Sequence, residues 1–178
     1  MAYAVSLFFD EPTAAAVQHI WTRMAQTGVS SLLADGPYHP HLTLAIYSEL
    51  DADALAADLA ALANTQECFP VSLSYTGVFT GEEITVFVAA TASQALMALH
   101  RRVHSLLHLH GAGPSPYYLP DRWNPHCSVA RRITEEAIPR AVAVCLRMPL
   151  PLQGFAERIG VIETPEENEV AILPFRRR

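Results

Sequence analysis

Two stretches of this chain place a histidine and a hydroxyl two residues apart: Pro40-His41-Leu42-Thr43-Leu44-Ala45 and Pro125-His126-Cys127-Ser128-Val129-Ala130. An imidazole with an ordinary pKa of about 6.5 takes up or gives a proton near neutrality, so two of them make an acid/base pair. Alcohols beside them can donate hydrogen bonds to an anionic oxygen. Side chains alternate along a β-strand, so His41 and Thr43 share one face while Leu42, Leu44 and Ile46 share the other; His126 and Ser128 pair in the same way. Each proline suits the first residue of a strand, where a missing amide hydrogen costs little. With proline at about 5% of residues, fewer than one of the chain's eight histidines should follow a proline. Two do, and the same two carry the hydroxyl.

The elements that must present these residues are legible from periodicity. Tyr3 to Phe9 reads as a short buried strand, and Ala14 to Thr27 as a helix with Val17, Ile20, Trp21 and Met24 on its apolar stripe and Gly28 as its stop. Ser31 to Pro40 reads as a loop into a first motif strand from His41 to Tyr47. Asp51 to Asn64 reads as a helix, Phe69 to Thr80 and Ile84 to Ala89 as a hairpin about Gly81-Glu82, and Ser93 to His110 as a helix closed by Gly111. Gly111 to Trp123, with three prolines, is expected to be irregular and to lead into the second motif strand. Thr134 to Arg147 is a helix limited by Pro139; Leu152 to Thr164 and Glu169 to Phe175 form a terminal strand pair across Pro165 to Asn168, before an exposed basic tail, Arg176 to Arg178. Two helices in comparable places, each in the half that carries one motif, indicate two similar lobes.

The order of elements therefore predicts an α+β fold over residues 1–178 as one bilobal domain: two largely antiparallel sheets, helices outside, a central groove, and the motif strands near the centre, one per lobe. With 51% hydrophobic and 17% charged residues, 178 residues suffice to bury a substantial core. A net charge of −6 repels a long polyanion, so a nucleic-acid substrate should be small or held at a local patch. Three cysteines without Cys-x-x-Cys spacing point to a reducing, cytoplasmic setting, and the apolar start meets Asp10-Glu11-Pro12 too early for a signal peptide or membrane span. A monomer is expected.

His41-Leu42-Thr43-Leu44 and His126-Cys127-Ser128-Val129 are matches to the paired His-x-[Thr/Ser]-x motifs of the 2H phosphoesterases, the family of 2′-5′ RNA ligase-like proteins and cyclic nucleotide phosphodiesterases, which most of the chain resembles. The resemblance implies a bilobal fold with both histidines facing a groove, phosphoester chemistry without metal or other cofactor, and substrates ending in a cyclic phosphate or containing a 2′-5′ linkage. By the same resemblance His41 and His126 are catalytic, and Thr43 and Ser128 hold the phosphate. Cys127 and Ser128 stand where the family more often has an aliphatic residue and threonine. The symmetric motifs leave open which histidine is base; His126 as the activator of water and His41 as the donor to the leaving oxygen is the working assignment. The expected reaction is hydrolysis of a cyclic phosphate or 2′-5′ phosphodiester in a nucleotide or short RNA end, and the competing expectation is a non-catalytic binder of such an end.

Other candidates have plainer readings beside them. His100, His104 and His108 have metal-binding spacing on one helix face, or form a solvated flank of its apolar stripe. His39, His41, His126 and Cys127 imitate a zinc set, yet strand alternation turns Cys127 inward as an inert packed thiol. Tyr38 and Trp123, nearest the histidines, are the preferred pair to bind substrate by stacking on a base; Tyr117 and Tyr118 are further candidates, and each can instead cap the core. Arg122, Arg131 and Arg132 can meet phosphate, but regular alternation puts Arg131 on the face opposite His126.

Overall fold

The computed structural model describes residues 2–165 and 167–177; Glu166 of the last expected turn and Arg178 of the tail lie outside the described residues. Strand β1 (Ala2–Phe9) leads into helix α1 (Glu11–Gln26), then a single turn, α2 (Leu32–Asp35), and the first motif strand, β2 (His41–Leu50). Helix α3 (Ala52–Ala63), the hairpin β3 (Phe69–Thr80) and β4 (Ile84–Ala90), and helix α4 (Gln94–His110) follow. A short strand β5 (Gly111–Pro114) and a 3-10 turn (Pro116–Tyr118) precede the second motif strand, β6 (His126–Arg131). The chain ends with a 3-10 turn (Glu135–Ala137), helix α5 (Ile138–Cys145), and strands β7 (Leu152–Thr164) and β8 (Asn168–Pro174).

Helix ends follow local chemistry. α1 begins three residues before the expected start because Asp10 is extended and Pro12 sits in the first turn, where a missing amide hydrogen has no helical partner to lose. The Asp51 carboxylate accepts from the Ala54 amide at 3.1 Å and the Ser93 hydroxyl from the Leu96 amide at 3.3 Å, capping α3 and α4. The Thr134 to Arg147 helix divides into a 3-10 turn and α5, with Pro139 at the start of α5. The segment expected to be irregular after Gly111 contains β5, which pairs with β2 through Tyr47↔Pro114 and Leu50↔Gly111. A Cβ on Gly111 would lie 2.6 Å from the Tyr47 ring, so only glycine lets the backbone come this close, and an edge position tolerates Pro114.

All strand pairs in the sheet are antiparallel, in the order β5-β2-β1-β7-β3-β4-β6, with β8 also paired to β7. The two expected sheets are halves of this ladder and meet on β7, whose Leu152–Ala156 pairs with β3 and whose Arg158–Glu163 pairs with β8. The motif strands are not central in the hydrogen-bonding order: β6 is one edge and β2 is next to the other. They nevertheless meet, because the indole of Trp123, beside β6, reaches the Thr43 carbonyl in β2. The helices also exchange sides. α1 follows β1 but packs on β6, β7 and α5, whereas α4 follows β4 but packs on β2, α3 and β5. Each motif strand is thus backed by a helix from the other half.

The core follows the predicted stripes. Val17, Ile20, Trp21 and Met24 of α1, Leu55, Leu59 and Leu62 of α3, and Leu96, Leu99, Val103 and Leu107 of α4 are buried. Burying each such side chain contributes about 1.5–3 kcal/mol. Arg176 and Arg177 are exposed, but the chain at Arg176 is fixed by its amide donating to the Gln66 carbonyl and its carbonyl accepting from the Cys68 amide. No helix among the described residues is long and apolar enough to cross a membrane.

Candidate active site

A cavity of about 830 Å³ lies between the two motif strands and is lined by His41, Thr43, His126 and Ser128 together. Leu42, Leu44, Cys127 and Val129 are buried on the opposite faces, as alternation requires. The alternation then breaks at the same place in both motifs. Ser6 pairs with Thr43 but Val5 with Ala45, and Phe87 pairs with Ser128 but Val86 with Ala130, so each motif strand bulges directly after its hydroxyl residue. Two consecutive residues are buried at each bulge, Leu44-Ala45 and Val129-Ala130. The next side chain returns to the groove. Ile46 and Arg131, both expected on the far face, therefore line the cavity.

Arg131 is the residue that sequence reasoning misplaced most consequentially. The legible signal was the apolar pair Val129-Ala130, which a half-exposed strand does not carry without a bulge. Its Nε donates to Glu83 Oε1 at 3.1 Å, and Arg132 Nε donates to Glu83 Oε2 at 3.1 Å. Glu83 thereby holds a guanidinium at the groove, and that positive charge lowers the pKa of both His41 and His126.

Both imidazoles are fixed by one local device. His41 Nδ1 lies 2.6 Å from the His39 carbonyl, and His126 Nδ1 lies 2.7 Å from the Asn124 carbonyl. A carbonyl only accepts, so Nδ1 carries the hydrogen and the Nε2 lone pair is left for chemistry. The proline between the histidine and that carbonyl fixes the chain between them, a second reason for Pro-His beyond strand initiation. Burial is the largest influence on each ring and lowers its pKa; the carbonyl contact opposes this. His41 is lowered further by the charge of His126 and of His39.

The surroundings of the two rings differ. His126 meets Phe79 edge-on at 4.8 Å and Phe87 at 5.2 Å, while Phe79 and Phe87 stack at 4.2 Å. Gly77 makes this possible, since a Cβ there would overlap the Phe87 ring. His41 has Phe8 at 6.0 Å.

Tyr38, Tyr117, Tyr118 and Arg122 also line the cavity. Trp123 does not: it is buried, its ring stacks on His100 at 4.1 Å with 3° between planes, and its Nε1 donates to the Thr43 carbonyl at 3.0 Å. His100 and His104 are buried rather than solvated, with Nε2 on the Tyr118 carbonyl at 2.9 Å and the Leu44 carbonyl at 3.2 Å, while His108 is exposed. Those hydrogen bonds commit Nε2 of His100 and of His104 to backbone carbonyls, and His108 takes no part in them. Cys127 is buried and its thiol is pushed up to about 12 by desolvation, so it is an inert thiol at neutral pH.

A fold with two histidine-hydroxyl strands opening on one groove defines the 2H class of phosphoesterases. The sequence profile of the 2′-5′ RNA ligase superfamily matches residues 9–168, and the chain belongs to that family. Among solved structures it is similar to TT0787 of Thermus thermophilus, at 19% identity and a TM-score of 0.66 over 100% of both chains. It is also similar to E. coli LigT, at 16% identity and a TM-score of 0.61 over 98% of this chain and 94% of that one. Kluyveromyces marxianus Usb1 follows, at 12% identity and a TM-score of 0.56 over 98% of this chain and 97% of that one. LigT has been crystallised with 3′-AMP and with phosphate, and Usb1 with uridine monophosphate. No curated protein sequence matches the chain.

Proposed function

We propose that this chain is a hydrolase that opens 2′,3′-cyclic phosphates or cleaves 2′-5′ phosphodiesters in a nucleotide or short RNA end, using its two histidines and no metal. The observation that carries the reading is that His41 and His126 line one cavity, each with Nδ1 committed to a carbonyl, with Thr43 and Ser128 on the same faces. Small nucleotides and phosphate bound by LigT and Usb1 support a substrate of that size.

One imidazole removes a proton from water as it attacks phosphorus, and the other protonates the departing ribose oxygen. Thr43 and Ser128 donate to the non-bridging oxygens, and the Arg131 guanidinium balances their charge; aimed donors of this kind are each worth about 100-fold or more in rate. The environments favour His41 as base, the reverse of the working assignment. Burial lowers both rings, and the His126 charge lowers His41 in addition, which favours His41 as the ring that gives up its proton first. Tyr38, in the groove wall, offers a face to the base.

The test is a metal-free panel of 2′,3′-cyclic nucleotides, 2′-5′ dinucleotides and linear diesters, with products identified by mass and phosphate position. His41→Ala and His126→Ala should each reduce turnover by about 100-fold or more while nucleotide affinity stays within a few-fold. Binding without turnover by the unmodified chain would favour the non-catalytic binder.

A further inference from the structure

The carbonyl oxygens at the two bulges are held from the opposite half of the molecule. Trp21, in α1 of the first half, donates its indole N–H to the Ser128 carbonyl in β6 at 3.0 Å. Trp123, next to β6 in the second half, donates to the Thr43 carbonyl in β2, also at 3.0 Å. Both indoles are buried, and both acceptors belong to the residue whose hydroxyl lines the groove. His104 lies as far along α4 as Trp21 lies along α1, and its Nε2 meets the Leu44 carbonyl at 3.2 Å, at the same bulge as Thr43. His100 stacks on Trp123 and orients its ring.

We propose that Trp21 and Trp123 are positioning residues, a reciprocal clasp that sets the separation and facing of His41 and His126 by tying each motif strand to the other half. β2 and β6 are far apart in the sheet's hydrogen-bonding order, so no ladder bond between them fixes the width of the groove. The crossed indoles supply that constraint at the residue between each histidine and its bulge. Trp123 does not line the groove, and Trp21, which does, is only 4% exposed with its N–H committed to the Ser128 carbonyl, so the effect assigned to each runs through the strand it holds.

This inference rests on the acid/base reading of the groove for its effect on rate, and its structural content is testable apart from that reading. Trp21→Phe and Trp123→Phe each retain an aromatic ring and lose the N–H. In the full chain each should lower kcat for cyclic phosphate opening by about 10- to 100-fold with KM within about threefold, the cost of reacting groups displaced on the scale of 1 Å. Histidine titration by NMR gives the independent measurement: His126→Gln should raise the pKa of His41 in the otherwise unmodified chain, and by less when either tryptophan is replaced. Folded Trp→Phe variants with unchanged kcat and unchanged His41–His126 coupling would overturn the clasp. If a variant does not fold, hydrogen exchange of the two indole N–H groups in the unmodified chain decides: protection comparable with core amides supports the clasp, and exchange at the rate of free indole refutes it. An unmodified chain that opens no cyclic phosphate but whose histidine coupling shrinks in the variants would discard the reaction and keep the clasp.

Discussion

At the scale of single residues, catalysis of the proposed kind depends on which nitrogen is free and which ring keeps its proton. The carbonyls of His39 and Asn124 settle the first question by occupying Nδ1 in each motif. Burial and Arg131 bear on the second by holding both pKa values below 6.5, with His41 lowered further by His126. For the free enzyme, kcat/KM should therefore be bell-shaped with its centre below pH 6.5. The acid limb is protonation of the base and the alkaline limb is deprotonation of the acid. A bound anionic phosphate favours both imidazolium forms, so the kcat profile should lie at higher pH than the kcat/KM profile. Rate measurements between pH 4 and 9 check this; a flat profile would remove the histidine pair from the chemistry.

At the scale of elements, α4 links the core to the groove through two buried histidines. His100 Nε2 donates to the Tyr118 carbonyl, leaving Nδ1 buried without a donor, and desolvation lowers its pKa to about 4, with His104 lowered in the same direction. The unfolded chain protonates first, near pH 6.5, so the stability from a neutral His100 is complete above that pH. It is lost as pH falls toward 4 and amounts to about 3 kcal/mol at most. His100→Gln keeps a donor for Tyr118 and removes the titration, so its melting temperature should fall less steeply between pH 6.5 and 4 than that of the unmodified chain. Equal slopes would place the acid sensitivity elsewhere. The elements show how far local pattern carries. Apolar periodicity located α1, α3, α4 and the hairpin to within a few residues, since burial of one stripe is written in the spacing of the residues themselves. The same pattern could not place Arg131, because a bulge depends on the partner strand, here β4, far away in sequence.

At the scale of the whole molecule, β7 runs through both halves of the sheet, pairing with β1, β3 and β8. α1 and α4 each back the other half's motif strand. Neither half can keep its core if the other opens, so residues 1–178 should unfold as one cooperative unit. Tryptophan fluorescence and far-UV circular dichroism should give coincident urea transitions, and two separated transitions would show halves that fold independently.

The sequence by itself singled out the candidate set, because the pairing of Pro-His-x-[Thr/Ser] is a fact about residue types and spacing, and a period of two assigns its faces on a regular strand. It also determined the α+β class, since each helix and strand announces the face it buries. Only the tertiary structure decided that the two motif strands approach one another, that helices cross to the opposite half, that Arg131 turns into the groove and that the Trp123 ring is buried against His100. Those outcomes depend on contacts between segments remote along the chain, where the winning arrangement is the one that buries apolar faces and satisfies bulge carbonyls together, and no local window contains both partners.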